Sequence, residues 1–347
     1  MKKMKKHGMA LALLLAMACT GHAQPAQDAG NYPARPVTLI VPTAAAGGTD
    51  TIARVFAEGL TRLLRQPFVV DNRPGANGLV GVEQAARGAP DGYRLLFTYT
   101  ASMAVNPSLY RKVPYDPIKD FAPIAQIGRA GNLLLVSRDL PVHSLKEFVE
   151  HVRARPGQLS YCSWGQGSGG HLTMEFLLKQ AGLQMQHVPY KGSSPCVQGL
   201  LGGQVQAAFA DTSSTVELVR AGRVRAIAHS GDKRIPSQPD LPSLTEAGYP
   251  FHNYSWYGVF APAKTPQPIV DKLNAAINQL LQDPATAKKL GELNLTDLPR
   301  TTPAQFADTL RQDLADWGRL GREVGVQLDS QLSRRRCPSC APPRQSA

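Results

Sequence analysis

The sequence predicts an α/β protein built from two units, each with a mostly parallel sheet flanked by helices on both faces. Three observations point to this class. Short apolar runs alternate with longer amphipathic stretches from Pro36 onward, no hairpin signals separate the runs, and the alternation starts again near residue 133. Strands that alternate with helices usually form parallel pairs, because a helical crossover brings the chain back in the same direction. We therefore expect two sheets with a cleft between them.

The first unit begins with a buried strand. Its predicted elements are, in chain order, a strand at 37–41, a helix at 51–64, a strand at 68–70, a turn cluster at 72–78 that opens a second helix, a strand at 94–99 and a short helix at 103–110. The strands are short, mainly apolar runs, which is typical of strands buried on both faces. The turn cluster combines Asn, Pro and Gly, which separate one element from the next.

The second unit repeats this pattern. Its predicted strands lie at 133–136, 159–163, 186–189, 205–210 and 225–229, and its helices lie at 144–153, 171–181 and 194–201. A turn-rich segment, an aromatic segment at 251–260 and helices at 269–281 and 303–324 follow. Since these last helices form no further strand–helix unit, we expect them to pack back on the first unit. The expected lobes are residues 32–131 with 253–330, and residues 132–252.

The N-terminus has the features of a secretory signal peptide at residues 1–23. A lysine-rich start precedes an uninterrupted small or apolar run from Met9 to Cys19, and Gly21 and Ala23 are small residues at a cleavage site. The run is too short to cross ~30 Å of hydrocarbon, and no other stretch reaches roughly 18 apolar residues. We expect an exported, soluble chain that starts near Gln24, with lipidation of Cys19 as the alternative.

The composition fits about two globular domains, with 43% apolar residues in a chain of 347. The net charge of +12 resembles that of a nucleic-acid binder, but eight of these charges lie in the terminal segments. They belong to Lys2, Lys3, Lys5, Lys6, Arg334, Arg335, Arg336 and Arg344. The remaining surface is ordinary, so we expect no nucleic-acid partner. Residues 331–347 are expected to be a disordered tail.

Four cysteines follow the predicted signal peptide. Cys337 and Cys340 have the spacing of a metal or redox pair, but a zinc site needs four ligands and no second pair exists. Cys162 and Cys196 are expected to be buried small side chains, and a disulfide between them stays open. The histidines do not come in metal-ligand spacing. We therefore expect no metal and no cofactor.

Loops rich in Gly, Ser and Thr connect several predicted strands to the helices that follow, at 42–50, 98–102, 163–170 and 211–214. Each helix start carries unpaired backbone N–H groups and the positive end of a dipole, and glycine allows a ligand to approach them. Such loops bind ligands at the carboxyl ends of parallel strands. Four of them around one cleft predict a site for a small anion such as a carboxylate. The alternative for any single loop is an ordinary capped turn.

Two enzymatic interpretations of the loop at 163–170 compete with this one. Gly165–Gly170 matches the dinucleotide pattern GxGxxG, but the acidic residue expected about 20 positions later is missing. Ser168 and His171 could form a hydrolase pair, but Gln166 replaces the first glycine of the nucleophile motif and no orienting carboxylate is evident. His171 is expected instead to cap the helix or line the pocket, and we expect no enzymatic activity.

Three charged residues near these loops have two interpretations each. Asp211 directly follows an apolar strand, so it could cap the next helix or reach into the cleft to hold an ammonium group or a water molecule. For Asp50 we favour capping. Lys191 could be a solvated turn residue or face the cleft.

A series of short motifs begins with Tyr32–Pro42 and Gly47–Asp50. It continues in order at 72–76, 90–93, 106–110, 114–117, 167–172, 187–192, 201–205, 225–228 and 256–262. Together these motifs resemble the Bug family, the periplasmic receptors of tripartite tricarboxylate transporters. The resemblance runs from about residue 32 to residue 329, and the number of ordered motifs makes it specific.

The resemblance implies a type II periplasmic binding protein, in which two lobes joined by crossing strands close on a small carboxylate held partly through water. It implies binding in the periplasm rather than catalysis, with membrane permease subunits as partners, and we expect a monomer. The pocket residues expected from the motifs and the loops are Thr43, Ala44, Ala45, Ala46, Gly47, Gly48, Thr100, Ser102, Ser163, Gly167, Ser168, His171 and Asp211.

The chain also departs from the family. Thr43–Ala46 replaces a segment that usually contains an aromatic residue and a proline, and Cys162 and Trp164 are less polar or bulkier than usual. The backbone N–H groups remain, so anion binding is expected to persist. We expect a receptor for an organic acid or an acidic or amide amino acid. A ligand sensor with a membrane signalling partner and an exported serine hydrolase are the alternatives.

Overall fold

The computed structural model describes residues 29–328, apart from 232, 233, 235–237, 294 and 296. Within these residues, the strands form two five-stranded sheets against which the helices pack. The predicted signal peptide at 1–23, the predicted tail at 331–347 and the pair Cys337 and Cys340 lie outside the described residues. None of the described helices is long and apolar enough to cross a membrane.

Each sheet draws strands from separate parts of the chain. The first sheet contains β1 (Val37–Val41), β2 (Phe68–Asn72), β3 (Arg94–Tyr99), β4 (Phe121–Ala130) and β10 (Ser255–Pro262). Its spatial order is β2–β1–β3–β10–β4. The second sheet contains β5 (Asn132–Ser137), β6 (Ser160–Ser163), β7 (Gln186–Pro189), β8 (Ala207–Asp211) and β9 (Val224–His229). Its spatial order is β7–β6–β8–β5–β9.

Helices connect most of the strands and follow the last one. They are α1 (Gly48–Leu64), α2 (Leu79–Ala86), α3 (Asn106–Leu109), α4 (Leu145–Arg153), α5 (Gly169–Ala181), α6 (Ser193–Leu201), α7 (Thr212–Arg220), α8 (Gln267–Gln282), α9 (Pro284–Glu292) and α10 (Pro303–Val324). A π-helical turn at Ala101–Val105 leads into α3. Side-chain caps explain several helix starts: Ser144 caps α4, Asp283 caps α9, and Thr302 begins a capping box at α10.

Both sheets are mixed, whereas the sequence led us to expect mostly parallel pairs. β1 pairs in parallel with β2 and β3, but β10 runs antiparallel to β3 and β4. In the second sheet, β6 pairs in parallel with β7 and β8, but β5 runs antiparallel to β8 and β9. The reason is that β5 and β10 enter their sheets from the other unit rather than through a helical crossover. The two-lobed α/β class itself is confirmed.

Gly131 is the single residue between β4, in the first sheet, and β5, in the second. Ala130 pairs with Ser255 in the first sheet, and Asn132 pairs with Asp211, the last residue of β8, in the second. Because β3 and β4 are both antiparallel to β10, the carboxyl ends of β1, β2, β3 and β4 share one edge. The carboxyl ends of β6, β7 and β8 likewise share the edge at which β5 begins. The two carboxyl edges therefore meet at Gly131.

The C-terminal helices pack largely on the first sheet. Ile277 of α8 lies in one core cluster with Phe56 of α1. The helix α10 contacts both units, since Phe306 packs edge-on against Trp256 and Trp317 lies in the cluster that contains Phe148 of α4. The lobe boundaries at 131/132 and 252/253 stay a prediction.

Candidate functional site

The loop between β1 and α1 lies at the carboxyl edge of the first sheet. Ala44, Ala45 and Ala46 are exposed there. Ala46 has a φ of 62°, a left-handed conformation that is uncommon for a residue with a Cβ atom. Asp50 stabilises it, because its Oδ2 accepts a hydrogen bond from the Ala46 N–H at 2.8 Å. The N-cap residue of α1 is Gly47, and no side-chain cap hydrogen bond forms there, so Asp50 is not the helix cap that the sequence suggested. From the first turn of the helix it instead fixes the residue before the N-cap.

Contacts within the first lobe also hold this loop. Asn72, at the end of β2, donates from Nδ2 to the Thr43 carbonyl at 3.2 Å and to Asp50 Oδ1 at 3.0 Å. Arg54 Nε donates to Asp50 Oδ2 at 3.0 Å. Burial opposes ionisation of Asp50, but the hydrogen bonds from Arg54, Ala46 and Asn72 outweigh it and lower the pKa of the carboxyl group. Asp50 therefore keeps its charge and its hold on the loop at neutral pH.

Thr100 and Ser102, which follow β3, have different surroundings. Thr100 Oγ1 accepts a hydrogen bond from Trp256 N–H at 2.6 Å and lies 3.3 Å from the Trp256 carbonyl, so its hydroxyl joins β3 to β10. Ser102 is fully buried, and its hydroxyl lies close enough to the Tyr99 hydroxyl to lower the pKa of Tyr99. A Cβ added to Gly78 would lie 2.9 Å from Ser102 Oγ and 3.5 Å from Pro42. The segments that follow β1, β2 and β3 therefore converge at this point.

The loop between β6 and α5 lies at the carboxyl edge of the second sheet. Ser168 caps α5, because its Oγ accepts a hydrogen bond from the His171 N–H at 3.3 Å. Nδ1 of His171 accepts a hydrogen bond from the Gly167 N–H at 3.0 Å. Ser163 Oγ lies 2.7 Å from His187 Nε2. Three predicted site residues, Ser163, Ser168 and His171, thus fix the conformation of the glycine loop.

Tyr161, His187 and His171 form an aromatic stack beside this loop. The two histidine rings are 3.9 Å apart at an angle of 14°, and the Tyr161 ring is 4.9 Å from that of His187. Burial lowers the pKa of His187 to about 4. Burial, with a smaller contribution from His187, lowers the pKa of His171 to about 3. Both rings are neutral at physiological pH, and the proton of His171 lies on Nε2 because Nδ1 accepts from Gly167.

Asp211 lies where the lobes meet. Ser193, at the start of α6, donates from Oγ to Asp211 Oδ2 at 2.8 Å, and α7 begins at the residue after Asp211. Tyr99, the last residue of β3, lies at the carboxyl edge of the first sheet. Burial raises the pKa of Tyr99 to about 12, the Ser102 hydroxyl acts against this, and the charge of Asp211 raises the pKa further. The Asp211 carboxylate is therefore close enough to the first lobe to act on Tyr99 electrostatically.

Cys162 and Cys196 form a disulfide, with their Cα atoms 5.6 Å apart. The sequence had left this pairing open and led us to expect two buried small side chains; both residues are indeed fully buried. The bond joins β6 to α6. The strand β6 ends at Ser163, and α6 begins at Ser193, which donates a hydrogen bond to Asp211. Disulfides persist in oxidising compartments, which agrees with export of the chain.

Residues 52–326 match the family model described as the tripartite tricarboxylate transporter family receptor. The chain belongs to this family. One relative is protein BugT of Bordetella pertussis, which is 36% identical over 314 residues that cover 90% of this chain and 96% of BugT. The resemblance seen in the motifs is therefore confirmed, and the protein is a solute-binding receptor of the tripartite tricarboxylate type.

Solved structures support the same assignment. R. palustris Rpa4515 with adipate is 34% identical, with a TM-score of 0.81 over 85% of this chain and 99% of that one. MatC (Rpa3494) from Rhodopseudomonas palustris with bound malate is 32% identical, with a TM-score of 0.76 over 83% of this chain and 99% of MatC. The periplasmic binding protein BugD is 34% identical, with a TM-score of 0.78 over 85% of this chain and 99% of BugD. The two-lobed periplasmic binding protein fold is thus confirmed for this receptor.

The receptor's geometry favours binding over the hydrolase hypothesis. Ser168 Oγ and His171 Nδ1 are each engaged with a backbone amide, and a histidine with a pKa near 3 is a weak general base at neutral pH. Among the residues that the structure describes, no group of three or more His, Cys, Asp or Glu side chains could hold a metal ion.

Sequence reasoning missed several residues that shape the loops at the two carboxyl edges, among them Tyr99, Asn77, Asn106 and His187. Asn77 has a φ of 56°, and its Nδ2 donates to Asn106 Oδ1 at 3.0 Å. Asn106 is fully buried and donates from Nδ2 to the Asn77 carbonyl at 2.9 Å. The sequence signal for Tyr99 and Asn106 is that each is a polar residue next to an apolar run. Asn77 and Asn106 are 29 positions apart in sequence, so the hydrogen bonds between them could not be predicted.

Proposed function

We propose that this receptor captures a small carboxylate between its lobes in the periplasm and delivers it to the membrane permease of a tripartite tricarboxylate-type uptake system. The observation that carries the proposal is the meeting of the two carboxyl edges at Gly131. The starts of α1 and α2 follow β1 and β2 at one edge, and the starts of α5, α6 and α7 follow β6, β7 and β8 at the other. Helix N-termini attract anions through free N–H groups and the helix dipole.

Affinity would come mainly from the backbone. The proposed contacts are the N–H groups of residues 43–48 in the first lobe, apart from that of Ala46, which donates to Asp50. In the second lobe they are the N–H groups of Gln166, Gly169 and Gly170, because those of Gly165, Gly167 and Ser168 donate within the loop. A hydrogen bond from a backbone N–H to a charged oxygen is worth about 1.5–3 kcal/mol, and closure of the lobes strengthens it by excluding water. Thr43, Ser102 and Asp211 are proposed to line the same cleft. Because these groups bind without a nucleophile or a metal, the ligand would leave unchanged.

The relatives support the carboxylate class. Rpa4515 was solved with adipate and MatC with malate, both of which are carboxylates. A signal peptide at residues 1–23 would export the chain to the periplasm, where the receptors of this family act. We propose that it binds its ligand as a monomer and that the permease subunits are its protein partners.

A matched pair of substitutions at Gly169 tests the backbone mechanism. Gly169 is the first residue of α5, a position that tolerates proline, and Ser168 before it has φ −68° and ψ 160°, the conformation that precedes proline. Gly169→Pro removes one N–H group, whereas Gly169→Ala keeps it and adds a Cβ with no neighbour closer than 3.6 Å. The ligand is first found by calorimetric titration with a panel of organic acids and amino acids, each beside its neutral amide.

We expect saturable binding of at least one acid and none of its amide. Gly169→Ala should bind that acid like the wild type, and Gly169→Pro should bind it about ten- to a hundredfold more weakly, the cost of one charge-assisted hydrogen bond. Equal affinities of the two variants would exclude the Gly169 amide from the site. A panel without any binding acid would contradict the proposed function as a whole.

A further inference from the structure

A short segment at 326–328, which we call the strap, follows α10. The helix ends at Gly325, whose φ of 73° is the left-handed conformation that commonly closes a helix. The N–H of Val326 then donates to the Gly321 carbonyl at 3.0 Å. Of the two residues that follow, the first is exposed and the second, Leu328, is buried. The glycine therefore ends α10 and allows Leu328 to turn into the protein.

The backbone of the strap is bound to the segment that follows α3. Leu328 N–H donates to the Leu109 carbonyl at 3.0 Å, and the Leu328 carbonyl accepts from Arg111 N–H at 3.1 Å. Leu328 thus pairs in parallel with Tyr110. Since α3 follows β3 of the first sheet, the first lobe determines the position of Leu328.

The side chain of Leu328 packs against the ligand loop of the second lobe. A Cβ added to Gly167 would lie 2.4 Å from Leu328 Cδ1 and 3.1 Å from Leu109 Cδ1, so the two leucines cover this glycine closely. Gly167 N–H donates to His171 Nδ1, and the next residue, Ser168, caps α5. Leu328 therefore contacts the loop at the residue that leads into the start of α5.

Further contacts join α5 to α10. Lys179, in the last turn of α5, donates from Nζ to the Glu323 carbonyl near the end of α10. The Phe251 ring lies 5.1 Å from that of Phe176 on α5 and 6.4 Å from that of Trp317 on α10. The strap is therefore one end of a longer contact between these two helices, and it is the part that reaches the ligand loop.

We propose that Leu328 is a positioning residue for ligand binding. It fixes Gly167, and with it the amides of Gly169 and Gly170, in the arrangement that binds the carboxylate. This inference rests on the proposed function, because it assigns what keeps one of the two binding loops in shape. Without the Leu328 side chain the ligand has to order the loop, and the entropy lost in ordering it lowers the affinity.

The test uses three variants of the full chain. Leu328→Ala removes the contact with Gly167, and Leu328→Met keeps an apolar side chain of similar volume. Leu145→Ala is the matched control, because Leu145 belongs to the same apolar cluster and is 4% exposed, compared with 7% for Leu328. It is the first residue of α4, which follows the end of β5, and that end lies at the opposite edge of the sheet from the ligand loop.

Amide hydrogen exchange of the protein without ligand measures the effect on the loop. The N–H groups of Gly165, Gly167 and Ser168 donate within the loop, so they are protected while it keeps its shape. In Leu328→Ala they should exchange at least about tenfold faster than in the wild type. In Leu328→Met and Leu145→Ala their exchange rates should stay within about twofold of the wild type.

Calorimetric titration with the panel of organic acids and amino acids measures the effect on binding. Leu328→Ala should bind the acid found with the wild type about tenfold more weakly, whereas Leu328→Met and Leu145→Ala should bind it within about twofold of the wild type. Thermal unfolding shows whether Leu328→Ala is folded. If it is not, Leu328→Val takes its place, with an expected loss of affinity of about threefold.

The outcomes separate this inference from the proposed function. Unchanged loop exchange in Leu328→Ala, or faster exchange without a loss of affinity, overturns the positioning role and leaves the carboxylate receptor standing. An equal loss of affinity in Leu145→Ala also overturns the role, because it would show a general effect of core packing. If no acid binds the wild type, the proposed function is wrong, and so is the role of Leu328 in it.

Discussion

The disulfide between Cys162 and Cys196 should account for much of the stability of the second lobe. It joins residues 34 positions apart, and chain entropy gives about 4 kcal/mol of stabilisation for a closed loop of this length. The total free energy of unfolding of a domain is about 5–15 kcal/mol, so the loss would be large. Both residues are fully buried in a cluster with Leu200 and Ala208, so the bond crosses the core.

Urea unfolding tests this expectation with the wild type and the double variant Cys162→Ala/Cys196→Ala, each with and without a reductant. We expect the double variant to lose about 4 kcal/mol, and the unfolding midpoint of the wild type to fall towards that of the variant in reductant. The variant keeps Cys337 and Cys340, so it also controls for effects of the reductant on those residues. A wild-type midpoint that is insensitive to reductant, together with a variant within about 0.5 kcal/mol of the wild type, would refute the reasoning.

Two further substitutions test the junction and its surroundings. Gly131→Ala should destabilise the protein by about 3 kcal/mol or more in urea unfolding, because its Cβ would lie 2.1 Å from the Ser230 carbonyl oxygen. The control Gly291→Ala adds a Cβ with nothing within 4 Å, so its stability should stay within about 1 kcal/mol of the wild type. Burial raises the pKa of Asp313, which accepts a hydrogen bond from Trp256 Nε1, to about 6. The folded state thus holds this proton more tightly, so wild-type stability should fall by about 2 kcal/mol as the pH rises from 4 to 7. Asp313→Asn should abolish that part of the pH dependence in thermal melts; an unchanged pH profile would show that Asp313 does not titrate in this range.

Local chemistry made most of the strands and helices readable from the sequence. The strands β1 and β3 are short apolar runs, and α10 begins with a capping box. The strand β4 was missed because Pro123, Gln126 and Gly128 interrupt its apolar run. Its place depends on tertiary contacts, since a Cβ on Gly128 would lie 2.8 Å from Leu295.

The candidate site was readable where it depends on the residues next to it in the chain. Glycine-rich helix starts are local features, so the loops at both carboxyl edges were predicted. Strand direction depends on which unit a strand enters from, so the antiparallel insertion of β5 and β10 was not predicted. The bond between Thr100 and Trp256, the stack of His171 on His187 and the disulfide also require the fold, because nothing in the sequence places those partners together.

The central claim is that backbone amides from both lobes hold one carboxylate at the Gly131 junction. A crystal structure of the protein with the acid that binds most tightly tests it most directly. We predict carboxylate oxygens within about 3.2 Å of backbone nitrogens from residues 43–48 and from residues 165–170 in the same complex. A ligand held by one lobe alone, for example in the surface groove lined by Ala45, Arg54 and Lys289, would contradict the account.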